Sequence, residues 1–324
     1  MESGENKNFM FSIIIPHKNT PDLLERCVNS IPKRDDLEII IIDDNSSPEI
    51  VNFENFPLKN DDSRNLKIIF DKSNKGAGHA RNLGVENAGG KFLIFADSDD
   101  FFILTFNNIL DKYKNSNYDI IYLNACSLDS EYYTNTDRLK NYLYKLMGDY
   151  MSKEHHELGE LELKYLFASP WCKIVRKSII ENNNIKFDET PVSNDLTFSY
   201  LIGHYAKNIF VDPTAVYCVT VRNNSLSKNK TDEMNLIRIG IYARRDKFLK
   251  SHNIPLPEMM HFTLLYGMRN NKNSFDKGCK ILIELGYTQK EIKSGLKKIF
   301  YGKLRMYAHN VKAFLKLVLH PNLK

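Results

Sequence analysis

The 324-residue chain is 42% hydrophobic and 26% charged, enough apolar material for a full core and too much for a disordered chain. Its 45 Lys and Arg against 40 Asp and Glu leave a net charge of +5, which excludes the basic excess of a dedicated nucleic-acid binder. Five scattered cysteines (Cys27, Cys126, Cys172, Cys218, Cys279) form no CxxC pair, so neither a disulfide framework nor a zinc site is expected, and the thiols read as reduced and cytoplasmic. No leader-like N-terminus and no apolar run approaching the roughly 18 residues of a membrane span is present, so a cytoplasmic location is expected.

The first run, Phe11-Ser12-Ile13-Ile14-Ile15, reads as a buried strand that stops at Pro16. Thr20-Pro21 then offers an N-cap and a proline at the first helical position, with Leu23, Leu24, Cys27, Val28 and Ile31 at helical spacing. Further strands are expected at 38–42, 66–70, 92–96 and 119–123, with a helix over 77–88 before the fourth. Strands apolar on both faces and separated by helices imply an α/β fold with a mostly parallel sheet between helix layers. Ligands bind such sheets at the carboxyl ends of the strands. The segments that close the runs therefore carry the chemistry: Pro16-His17-Lys18-Asn19 after the first, Asp43-Asp44-Asn45-Ser46-Ser47 after the second, Asp97-Ser98-Asp99-Asp100 after the fourth.

Residues 129–165 read as helical with mixed charge, 183–221 as short strands and loops, and the chain beyond 230 as mainly helical. Two domains are expected, 1–230 and 231–324. Between 290 and 324 nine Lys or Arg face one acid, Glu291, while Leu304, Tyr307, Val311, Phe314, Leu315 and Val318 keep helical spacing. Such a basic amphipathic tail either packs on the protein with its lysines in water or rests on an anionic membrane face.

Three carboxylates within four residues repel one another unless a cation lies between them. Mg²⁺ or Mn²⁺ prefers oxygen ligands and is held by one or two carboxylates together with substrate phosphates. The plainer alternative is an N-cap for a helix starting near Phe101. Asp43 to Ser46 can likewise be turn chemistry alone. The segment Asn74 to Gly84 is glycine-punctuated but matches neither the dinucleotide nor the Walker pattern. His17 and His79 read as hydrogen-bonded structural residues, and Trp171 as either core or a stacking surface.

The ordered set Ile13 to Asn19, Ile42 to Ser46, Asn74 to Gly84 and Asp97 to Asp100 resembles the nucleotide-sugar domain of the family 2 glycosyltransferases, which have the GT-A fold. That resemblance implies a metal-dependent transferase with a nucleotide-sugar donor, UDP-linked, and a glycan or lipid-linked acceptor. By motif position, Pro16, Asn19 and Ser98 would belong to the donor pocket, Asp44 would meet the nucleobase, Asp97 the ribose or the metal, and Asp99 the Mn²⁺ or Mg²⁺ that bridges the diphosphate. Arg81 would steady the acidic loop or the phosphates. Ser169 to Lys177, with Trp171, is similar to the acceptor-side segment, and Asn194-Asp195 stands where the family has a Glu-Asp pair, so Asp195 would be the general base of an inverting displacement. Val221 to Ser227 resembles the closing loop, in which Arg222 would contact the diphosphate. The family usually carries an aromatic residue where Lys18 stands. Two rival readings are a sugar-nucleotide nucleotidyltransferase, which needs a basic glycine-rich loop after the first strand that Pro16 to Thr20 does not supply, and a non-catalytic nucleotide-sugar binder.

Overall fold

The computed structural model describes residues 8–129, 134–136, 140–221 and 231–319, the side chains of 140, 141 and 307–319 excepted. The chain divides into two compact units, residues 1–226 and 227–324.

The N-terminal unit is built on an eight-stranded sheet. In chain order its elements are β1 (Phe11–His17), α1 (Pro21–Asn29), β2 (Leu37–Asp44), β3 (Asn65–Asp71), α2 (Ala77–Asn87), β4 (Phe92–Phe95), β5 (Phe101–Phe102), α3 (Thr105–Tyr113), β6 (Ile120–Asp129), α4 (Lys140–Met151), α5 (His156–Leu166), β7 (Lys173–Arg176), α6 (Lys177–Asn182), α7 (Leu196–Tyr205) and β8 (Ile209–Val221). The strands lie in the order β3-β2-β1-β4-β7-β6-β8-β5. β3, β2, β1 and β4 run parallel, as the strand–helix alternation predicts. β7 is antiparallel to both β4 and β6, while β6 pairs in parallel with β8.

Every residue of β1 and β2 is buried, which is why both read as unbroken apolar runs. β3 is a half-exposed edge and carries Lys67 and Asp71. α2 lies close against β1 and β2 because Gly84 has no side chain. A Cβ there would stand 2.3 Å from Ile14 Cγ2 and 2.9 Å from Ile42 Cδ1.

Three expectations are corrected. Residues 183–221 contain the helix α7, whose apolar residues fall on all sides (Leu196, Phe198, Tyr200 and Ile202 are all buried), so it shows no amphipathic stripe. Phe101-Phe102 forms β5 against β8 rather than a helix start, and α3 begins only at Thr105, so the Asp97 to Asp100 loop is not its N-cap. Thr20 does precede α1 but makes no side-chain capping bond.

The C-terminal unit is helical: α8 (Asp232–Ser251), α9 (Met260–Gly267), α10 (Lys272–Glu284) and α11 (Gln289–Leu319). Its own core gathers Ile239, Ala243, Phe262, Leu265, Met268, Leu282, Tyr287 and Ile292. No helix among the described residues is long and apolar enough to cross a membrane.

Candidate functional site

The polar residues that close β1, β2 and β4 meet at one edge of the sheet because those strands are parallel neighbours. Asp43 lies beside His17 in register, and Ala96 donates its N–H to the Ile14 carbonyl (3.1 Å). Asp44 and Asp97 thus stand at the ends of strands two places apart, about 10 Å at the usual strand spacing, a span that a nucleoside diphosphate can bridge.

On the β2 side, Asp43 is a structural hub. It accepts from the Ser46 hydroxyl (2.6 Å) and amide (2.9 Å) and pairs with His17 Nδ1 (2.8 Å). Burial works to raise its pKa, but the bonds from His17 and Ser46 outweigh it and hold the carboxyl below the usual aspartate range. His17 Nε2 also meets the Thr20 amide (3.1 Å), so His17 is a hydrogen-bonded structural residue. Asp44 accepts from the Gly76 amide (3.1 Å) and from Lys18 Nζ (3.3 Å), and Lys18 also donates to Asn74. Where the resembled family usually carries an aromatic side chain, an ammonium therefore reaches the Asp44 carboxylate. Asn19 staples the loop after β1 to the loop after β2: its amide donates to Ser46 Oγ (2.8 Å) and its side-chain oxygen accepts from the Ser47 amide (2.8 Å). Pro16 is buried opposite Ile42.

On the β4 side, ligand atoms of Asp97, Asp99 and Asp100 lie within 4.8 Å of one another. The sequence pointed to this cluster, with Asp97 and Asp99 as the named ligands, and the fold brings Asp100 beside them. Asp100 is 3% exposed and accepts from the Thr220 amide (2.7 Å). Burial, then the charges of Asp97 and Asp99, push its carboxyl well above the ordinary range. Three converging carboxylates, offering oxygen ligands alone, fit a hard divalent cation. The loop's backbone is held from two sides. Arg26 of α1 and the Thr220 hydroxyl (2.5 Å) donate to the Asp99 carbonyl, and the Asp97 amide donates to the Tyr217 hydroxyl (2.8 Å). Ser98 Oγ is 3.4 Å from Thr20 Oγ1.

The acidic loop is tied to the Asn194-Asp195 segment by one guanidinium. Arg81, on α2 and 6% exposed, donates to Asp97 Oδ1 (2.6 Å) and to Asn194 Oδ1 (2.9 Å). α2 can come this close because Gly78 lacks a side chain, a Cβ there standing 2.0 Å from the Asp188 carbonyl oxygen. Asn82 clamps the same segment, exchanging two hydrogen bonds with the backbone of Phe187 (2.8 and 3.0 Å). Asp195 opens α7. Burial raises its carboxyl, Arg81 and Lys173 opposing the rise and Asp97 adding to it. A carboxylate raised in this way is better suited to accept a proton near neutral pH than an ordinary aspartate.

Trp171 is 7% exposed, stacked on Tyr217 (5.9 Å between centroids) and edge-on to Phe167 (6.0 Å), so its ring belongs to the core. His79 pairs with Glu189 (2.8 Å) and Asp71 (3.4 Å), a structural role. Arg222 lies outside the described residues. Sequence reasoning missed Arg26, Tyr217 and Thr220. The last two reach the acidic loop from a strand some 120 positions downstream, and their only local signal is a polar tip within the apolar run Val216 to Val221.

The family model for glycosyl transferase family 2 matches residues 12–183. A β-1,3-glucosyltransferase of Campylobacter jejuni, named for action on GalNAc(5)-diNAcBac-PP-undecaprenol, is 28% identical over 188 residues, covering 57% of each chain. Among solved structures, S. aureus TarS 1–349 in complex with UDP-GlcNAc superposes with a TM-score of 0.57 at 21% identity, over 90% of this chain and 79% of that one. The mannosyltransferase PcManGT of Pyrobaculum calidifontis, in complex with GDP-Man and Mn²⁺, gives 0.54 at 14% identity, over 95% of this chain and 86% of that one. At these identities the two structures speak for the fold.

Proposed function

The chain belongs to glycosyl transferase family 2, and from that premise we propose that it transfers a sugar, with inversion, from a UDP-linked donor to a hydroxyl of a glycan or lipid-linked acceptor in cell-surface polysaccharide synthesis. The observation that carries this reading is the bridge made by Arg81, which joins the acidic loop through Asp97 to the segment bearing Asp195. A leaving-group site and a proton acceptor are thereby held side by side. The named acceptor of the Campylobacter relative and the UDP-GlcNAc bound to TarS support the choice of acceptor and donor.

In this reading Asp44 accepts from a base N–H, and Asp195 takes the proton of the attacking hydroxyl. Arg81 keeps Asp97 oriented. Asp97, Asp99 and Asp100 would hold Mn²⁺ or Mg²⁺, which when bound supplies charge neutralisation for the diphosphate. Asp195→Ala and Asp99→Ala proteins, shown to be folded, are expected to transfer sugar about 10²–10⁴-fold more slowly. Wild-type rates in both would refute the proposal.

The same reading gives the tail a place at the cytoplasmic face of the membrane. Phe300, Tyr301, Leu304 and Met306 are 44 to 61% exposed on α11, among Lys297, Lys298, Lys303 and Arg305. Apolar and basic side chains together suit an anionic lipid surface. Co-sedimentation with anionic vesicles should weaken in a Lys297→Glu, Lys298→Glu, Leu304→Glu protein, and equal binding by both proteins would remove this part.

A further inference from the structure

Lys173, the first residue of β7, is 1% exposed. Its ammonium faces three acceptors: the carbonyls of Phe167 (2.6 Å) and Ser169 (2.7 Å) and the hydroxyl of Ser199 (3.3 Å). An ammonium has three N–H bonds to give, so these partners satisfy it completely. Ser199, itself 2% exposed on α7, donates its own hydroxyl hydrogen bond to the Ala168 carbonyl. The Phe167 ring centroid lies 4.4 Å from Nζ, a further stabilisation of positive charge. Burial draws the ammonium down to about 7, with Asp195 acting against that fall.

A methionine would fill this space without burying a charge. What the lysine adds is a junction between the segment after α5, the start of β7, and α7. The Ser199 amide donates to the Asp195 carbonyl (2.9 Å), so Ser199 and Asp195 are the two ends of the first turn of α7. A shift at Ser199 is carried to Asp195 by that closed turn, and a shift of about 1 Å in a reacting group can cost about 10²-fold in rate.

We propose that Lys173 is the positioning residue of the acceptor side: by tying the 167–169 carbonyls to the first turn of α7, it sets where the Asp195 carboxylate stands. The proposal rests on the transferase reading above for the role of Asp195.

The test uses the full chain with Lys173→Met, which keeps length and apolar fit, and Ser199→Ala, which removes the hydroxyl that joins α7 to both Lys173 and the Ala168 carbonyl. In Lys173→Met the amides of Ser199 and Tyr200 are expected to exchange hydrogen about tenfold faster. The transfer kcat should fall about 10²-fold while affinity for UDP changes by less than about twofold. Ser199→Ala should show the same split, smaller in size. A residue that merely supports folding would lower rate and affinity together, in step with the folded fraction. Unchanged exchange, or rate and affinity falling in parallel, overturns the proposal. If Lys173→Met does not fold, unaltered exchange and kcat in Ser199→Ala overturn it. If the wild-type protein transfers no sugar from any donor, the transferase reading fails, and the exchange measurement still decides whether Lys173 holds α7.

Discussion

His261 gives the C-terminal unit a pH-dependent stability whose size can be worked from its surroundings. The imidazole is fully buried, its ring against Phe262 (4.0 Å) and Tyr287 (5.3 Å), and neither ring nitrogen has a hydrogen-bond partner among the described residues. Arg245, Asp246 and Lys250 are the charges that act on it. Burial moves it from an ordinary 6.5 to about 4, so the fold favours the neutral ring. A folded value below the unfolded one means that the stabilisation is complete above about pH 6.5, declines as pH falls towards 4, and is absent below. At about 1.4 kcal/mol per pH unit the full effect is about 3 kcal/mol, of which about 2 kcal/mol is lost by pH 5. His261→Phe keeps an aromatic ring in place and removes the proton site. Urea unfolding at pH 8 and pH 5 measures the difference. Circular dichroism follows both units, and fluorescence of the sole tryptophan, Trp171, follows the N-terminal unit alone. The wild-type C-terminal transition should weaken by about 2 kcal/mol more than that of the variant. Equal pH dependence in the two proteins would refute the reasoning, because it would mean that the folded His261 ring takes up protons as freely as the unfolded one.

Two further outcomes are expected. Gly84→Ala gains up to about 1 kcal/mol of helix propensity but forces a Cβ against Ile14 and Ile42, at a cost of about 1–3 kcal/mol; thermal unfolding should show net destabilisation, and a raised melting temperature would contradict the close packing of α2. Tyr217→Phe leaves the Asp97 amide without its acceptor, costing about 1–3 kcal/mol, and frees the acidic loop; Mn²⁺ titration should show weaker binding, and unchanged affinity would mean that the loop does not depend on β8.

Part of this protein is written locally. The isoleucine runs at 13–15 and 39–42 are buried on both faces, so they read as parallel strands without reference to anything distant. The residues that close those runs fall at the binding edge because parallel strands end on the same side. Asp43 and Asp44 at the end of β2 and the aspartates after β4 were legible for that reason.

What tertiary structure decided is each residue's partner. Asp43 and Asp44 are alike in sequence, yet the fold spends the first on His17 and Ser46 and leaves the second facing Gly76 and Lys18. Arg81 meets Asn194 across 113 positions, and Tyr217 meets Asp97 across 120. Lys173 stands in sequence within the segment Ser169 to Lys177, and the antiparallel insertion of β7 between β4 and β6 is what buries it. α7 stayed hidden because a helix buried on every side has no polar face to set its period. Local pattern reports how a segment meets solvent, whereas the partners of a buried charge depend on which distant strand lies beside it, and that is settled only when the sheet closes.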